Sequence, residues 1–234
     1  MSHSSITRRT VTGLVVVILI LLLGVVPYVR ASGPWYVAVN GNDANTCMSP
    51  VAPCGTINGA LAKASADDVI YVGAGTYTSV EWFVVEISKP IILSGGWNSD
   101  FNRQVDFSVI DGQKLHPGAY ITASGTVVMD HFIIQNGRSD SLGGGGFEVF
   151  NANLIMTNCA VRNNIGSGIG GGAYVASSLT MDNCSLTGNQ EIFGDGGAIR
   201  VGGGVNLNNV TIHDNYAPAG GALSVSGAVS ITGL

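Results

Sequence analysis

Charged residues make up only 11% of this 234-residue chain, so the few that recur at fixed spacing stand out. Glu148, Tyr174 and Arg200 follow one another at equal intervals of 26 residues (148 to 174, 174 to 200), an acid, an aromatic ring and a base. Asp130 and Asp182 form a second set, with Thr157 between them and Asn208 after them at equivalent spacing. Paired carboxylates hydrolyse a glycosidic bond when they stand about 5 Å or 6.5–9.5 Å apart, according to mechanism. Calcium needs roughly six to eight oxygen ligands. A ring flanked by two hydrogen-bonding charges offers a sugar a stacking face. His116, His131 and His213 stand isolated, so neither a metal triad nor a nucleophile–base pair is visible, and Asp195, Asp214 and His213 form no recognisable spacing.

What positions these residues is a repeat. Leu154-x-Met156-x-Asn158-Cys159-x-Val161-x-x-Asn164 returns as Leu179-x-Met181-x-Asn183-Cys184-x-Leu186-x-x-Asn189 and as Val205-x-Leu207-x-Asn209-Val210-x-Ile212-x-x-Asn215. A further copy starts at Val229-x-Ile231, so the period is 25 residues (154 to 179), 26 (179 to 205) and 24 (205 to 229). Glycine pairs separate the copies at Gly144-Gly145, Gly170-Gly171, Gly196-Gly197 and Gly220-Gly221. A period of this length means a solenoid. Apolar residues alternate at i, i+2 instead of following a helical period, and glycine and asparagine are too frequent for helix interiors. Short strands separated by residues that tolerate positive φ describe a chain turning several corners per repeat, with coils stacked about 4.8 Å apart. The expected fold is therefore an all-β solenoid, a right-handed parallel β-helix of about six coils, since right-handed crossovers dominate between parallel strands.

The columns follow from the register. Val127, Leu154, Leu179, Val205 and Val229 stack inward, as do Met129, Met156, Met181, Leu207 and Ile231. Past the corner, Phe132, Cys159, Cys184 and Val210 point in, then Ile134, Val161, Leu186 and Ile212. His131, Asn158, Asn183 and Asn209 occupy the bend, where side-chain amides are expected to form a ladder. The corner role also accounts for the glycosylation-type triplets that begin at Asn183 and Asn209. Outward columns are Asp130, Thr157, Asp182 and Asn208 on one strand, and Glu148, Tyr174, Arg200 and Ser224 beside the glycine block, both expected as solvated faces. Asp130 and Asp182, two coils apart, are roughly 9–10 Å from one another, too far to share one calcium unaided.

These residues resemble the right-handed parallel β-helix proteins of the pectate-lyase-like superfamily. The repeat is similar to that of bacterial polymorphic outer-membrane proteins, which pair a Gly-Gly-Ala-Ile block with Phe-x-x-Asn. Gly196-Gly197-Ala198-Ile199 and Gly220-Gly221-Ala222-Leu223 match the first element, while Val161, Leu186 and Ile212 stand where that family has Phe. The resemblance covers roughly residues 35–234 and implies the fold. It also implies an alternative activity, polysaccharide lyase or glycoside hydrolase, with Asp130, Asp182 and Arg200 as catalytic candidates. Calcium is the cofactor only under the lyase alternative; otherwise none is expected.

Residues 1–31 read as a signal peptide or signal anchor. Arg8-Arg9 is positive, Val11 to Val26 is apolar, and Val29-Arg30-Ala31 fits a cleavage site. Residues 32–68 form an N-terminal strand, a disulfide loop and a capping helix over Thr56 to Ala66, with Thr56 as N-cap and Ile57, Ala60, Leu61 and Ala64 on one face. The helix covers the open first coil. Cys47 and Cys54 flank a proline-containing loop and are expected to pair; Cys159 and Cys184, one repeat apart, stay buried thiols. Residues 69–234 are the solenoid, with a protruding loop at Asn98 to Asp106, and the last copy breaks off inside a coil, as in a fragment of a longer array.

The net charge of −5 gives no basic footprint for nucleic acid. The reading is an exported, non-catalytic β-helix repeat protein of the bacterial cell surface or exterior. Its ridge of Glu148, Tyr174 and Arg200 binds an extracellular polysaccharide or surface protein. Membrane contact is expected only through the N-terminal segment, and nucleic acid is not a partner.

Overall fold

The computed structural model describes residues 33–140 and 143–233; the signal segment expected at 1–31 lies outside the described residues. Among the described residues three long parallel sheets run through the chain, with a small two-stranded one of Ile165–Gly166 and Gln190–Glu191. The largest has eight strands in chain order, Trp35–Val37, Val69–Gly73, Ile91–Trp97, Gly125–Asp130, Ala152–Thr157, Leu179–Asp182, Val205–Asn208 and Val229–Thr232. A second sheet has six strands from Gly75–Tyr77 to Thr211–His213, and a third has six from Val85–Ile87 to Leu223–Val225. Each coil visits the three sheets in turn, which makes about six coils of an all-β parallel solenoid.

The expected register holds. Leu154 pairs with Val127 on one side and Leu179 on the other, and Val205 continues to Val229. The same is true from Met129 to Ile231 and from Ile134 to Ile212. These inward side chains are buried as far as Val205 and Leu207, and burying each contributes roughly 1.5–3 kcal/mol. A repeat of 24–26 residues thus becomes one continuous core because side chains two apart share a face.

The corner residues are also where expected, but the ladder is not. His131, Asn158, Asn183 and Asn209 all take positive φ, between 50° and 58°. Only Asn209 donates to its neighbour in the column, Asn183; Asn158 donates to Asp130 Oδ1 instead (2.9 Å). The buried amide ladder is built by the last asparagine of each repeat. Asn164 Nδ2 donates to Asn189 Oδ1 and Asn189 Nδ2 to Asn215 Oδ1, each 2.9 Å. The same amides donate to Ile134, Val161 and Leu186 carbonyls (3.1, 2.9 and 2.8 Å), satisfying backbone groups at a corner that water does not reach. A left-handed corner selects asparagine for its backbone, whereas this second column selects it for its hydrogen bonds.

At the N-terminal end the helix spans Ile57–Lys63, shorter than expected, with Ile57, Ala60 and Leu61 buried. Thr56 is its N-cap, accepting from Gly59 N at 2.9 Å. It stops early because Ala64 is already extended, and Lys89 Nζ takes the Leu61 and Ala64 carbonyls at 2.9 and 2.6 Å. Cys47 and Cys54 form a disulfide with Cα atoms 5.0 Å apart. The loop they close bonds to the first strand through Tyr36 N to Cys47 O and Cys54 N to Tyr36 O, both 2.8 Å.

Candidate functional site

The third sheet brings the expected ridge together. Its strands are three residues long, and in Ala173–Val175 and Ile199–Val201 the flanking residues are buried in the core while the middle one is half-exposed. In-register pairing aligns Glu86, Tyr120, Glu148, Tyr174, Arg200 and Ser224 as one column. Beside it runs a band of rings. Phe83 stacks on Tyr120 with centroids 4.5 Å apart, and Phe150 meets Tyr120 and Tyr174 edge-on at 5.6 and 5.8 Å. The band advances about one ring per coil, close to the coil rise itself.

Glu148 departs from expectation. It is 6% exposed, not part of a solvated face. Gly143 packs against it without a side chain, where a Cβ would collide with the Glu148 carboxylate. Among the described residues no hydrogen-bond donor answers the carboxylate, and burial pushes its pKa up to about 7. A carboxyl in that condition is neutral below pH 7 and charged above it.

Arg200 is paired, again unlike the free charge expected. It forms an ion pair with Asp195, which also accepts from Ser224 Oγ at 3.0 Å. Sequence spacing hid Asp195 because it sits in the loop before its strand, five residues from Arg200. Tyr174, Arg200 and Asp195 line an open groove of about 580 Å³ with Phe193, Pro218 and two loop glycines. Glu191 holds the groove's wall. Fully buried, its Oε1 accepts from the backbone N–H of Gly168, Phe193 and Gly194 at 2.5, 3.1 and 3.0 Å. At the other end of the ridge, Glu86, Tyr120 and Lys89 line a second groove of about 430 Å³ against the capping helix.

The other outward column is in register as read, Asp130 with Thr157 and Thr157 with Asp182. Thr157 separates Asp130 from Asp182 in that column, and the two carboxylates have different hydrogen-bond partners. Asp182 accepts from Asn208 Nδ2 at 2.5 Å. Asp130 is a hub: Gln104 Nε2 and Thr157 Oγ1 donate to it at 2.8 Å and Asn158 Nδ2 at 2.9 Å, with His131 Nδ1 at 2.8 Å. Burial alone would raise its pKa, but the bonds from Gln104, Asn158, Thr157 and His131 together outweigh it and hold the carboxyl below its usual value. His131 is therefore not isolated, and neither is His213, whose Nδ1 lies 2.8 Å from Asp214. Among the described residues no group of three or more His, Cys, Asp or Glu is arranged to hold a metal ion.

The family described as the right handed beta helix region matches residues 98–233, more than half of the chain. The chain belongs to that family. No curated protein and no solved structure matches it. As a right-handed β-helix it offers two different outer surfaces. The Asp130 column is occupied by its own hydrogen bonds, which leave little capacity for a ligand. The Tyr174 ridge presents aromatic rings, the Arg200–Asp195 pair and an open groove, which together suit a ligand with hydroxyls and apolar ring faces.

Proposed function

We propose that this β-helix is an exported, non-catalytic protein of the bacterial surface or exterior that binds polysaccharide along its third sheet. The observation that carries the reading is the aromatic band of Phe83, Tyr120, Phe150 and Tyr174 running between two grooves, at spacings of 4.5–5.8 Å. Successive sugars of an extended chain advance by a similar step, so a glycan lying along the coil axis meets one ring per residue. The disulfide at Cys47 and Cys54 fits an oxidising destination, as the N-terminal segment does. The repeat's likeness to polymorphic outer-membrane proteins, within the pectate-lyase-like superfamily, favours the cell surface.

Affinity electrophoresis of the full chain in gels containing soluble polysaccharides tests this. Retardation by one glycan, reduced about tenfold or more in Tyr174→Ala with an unchanged circular dichroism spectrum, is the expected result. Retardation by none of a broad neutral and acidic panel would count against it. A second reading, a glycoside hydrolase, is favoured by one feature: a general acid needs a raised pKa, and burial pushes that of Glu148 up to about 7. New reducing ends that vanish in Glu148→Gln would select that reading.

A further inference from the structure

Cys159 and Cys184 occupy the same position in consecutive coils of the corner column. Ala160 pairs with Ser185, so the cysteines that precede them lie directly over one another. Ser185 N bonds back to Cys159 O at 3.0 Å, which fixes that register. Cys159 N points at Cys184 Sγ at 3.4 Å, and the thiols donate to backbone carbonyls of their own coils, Cys159 Sγ to Thr157 O at 3.1 Å and Cys184 Sγ to Asp182 O at 3.2 Å. Coils stack about 4.8 Å apart, inside the window of Cα separations, 4.4–6.8 Å, that a disulfide spans. Neither is already bridged, and both are buried, yet both line an open groove of about 470 Å³ along the asparagine corner.

We propose that Cys159 and Cys184 form an oxidisable dithiol that exchange with an external disulfide closes into a covalent staple between two coils. Cys184 attacks first. The hydrogen bond from Cys159 lowers its pKa despite burial, while burial pushes the Cys159 thiol well above the usual range. The Cys184 thiolate forms a bond to one sulfur of the reagent disulfide and expels the other as a thiolate. Cys159 then loses its proton and attacks Cys184 Sγ, releasing the second reagent thiolate. Two protein thiols are oxidised and one small disulfide is reduced to two thiols. The bridge ties the coil that carries Tyr174 to the coil that carries Arg200. In a solenoid each coil is held only by its neighbours, so the closed form resists unravelling at that step.

Full-length protein is incubated with oxidised glutathione and unfolded in N-ethylmaleimide, then digested without reductant and mapped by mass spectrometry. The expected result is a linked Cys159–Cys184 peptide pair in place of two maleimide adducts, and a melting temperature several degrees higher than the untreated protein. In Cys159→Ser, whose hydroxyl keeps a donor toward Cys184, Cys184 should carry a glutathione adduct; in Cys184→Ser, Cys159 should carry none. Full maleimide labelling of both thiols after prolonged oxidation would overturn the proposal, and that arm needs no variant to fold. So would glutathione on Cys159 in Cys184→Ser with none on Cys184 in Cys159→Ser, circular dichroism showing both variants folded.

Discussion

Asp130 and Glu148 both stand at outward positions of the same β-helix, one on the eight-stranded sheet and one on the third, and their carboxyls meet opposite fates. Asp130 lies beside a left-handed corner that delivers Asn158 and His131 to it, while Gln104 arrives from a distant loop. Its charged form is favoured. Glu148 is buried against Gly143 with no donor among the described residues, so its neutral form is favoured. An acid in an outward column is therefore not yet a site. The loop that follows or precedes the strand decides whether it is a structural anchor or a buried titratable group.

The largest effect that would break this contrast belongs to Glu148. A folded pKa of about 7 against an ordinary 4.5 means that the folded protein binds its proton more tightly than the unfolded chain. Stability from this group is fully present below pH 4.5 and lost as pH rises through 7, a decline of about 3 kcal/mol. Urea unfolding of wild type and Glu148→Gln from pH 4 to pH 8.5 should show that decline in the first and its absence in the second. Parallel profiles would mean that water is not excluded from Glu148.

Why one half of this contrast could be read in advance and the other could not is a matter of range. The core columns from Val127 to Val229 and from Met129 to Ile231 repeat every 24–27 residues, and alternation alone assigns their face. The disulfide was legible because Cys47 and Cys54 are only seven residues apart. The two asparagine columns were not distinguishable, since Asn158 and Asn164 both recur in every repeat and only the folded corner shows which amide faces inward. The burial of Glu148 depends on an irregular loop, and the Asp195–Arg200 pair on side chains reaching back from a turn. Gln104 reaches Asp130 across 26 residues from outside the repeat, where periodicity says nothing.

A smaller effect is expected at Asp130. Its lowered pKa places its stabilising contribution above the ordinary value of 3.8, lost as pH falls through the folded value. Asp130→Asn turns an amide toward the donors of Gln104 and Asn158 and should cost about 1–2 kcal/mol at pH 7. The cost should shrink in acid, the reverse of the Glu148 profile. A cost that is the same at pH 2.5 and pH 7 would mean that the charge of Asp130 is not what its neighbours hold.

The smallest change separates the corner from the loop as the source of that charge preference. Gln104 Nε2 donates to Asp130 Oδ2 at 2.8 Å and to Gly95 O at 3.0 Å, so it both answers the carboxylate and pins the loop that carries it. Thr157 and Asn158 answer the other oxygen, Oδ1, and do not depend on the loop. Gln104→Ala should therefore cost only about 0.5–1.5 kcal/mol while raising the Asp130 pKa toward its ordinary range. Carboxyl carbon NMR titration reads that shift directly, with Glu148 as the internal control that should not move. An unmoved Asp130 would assign its charge preference to the repeat's own corner, and the loop would then be only a cover.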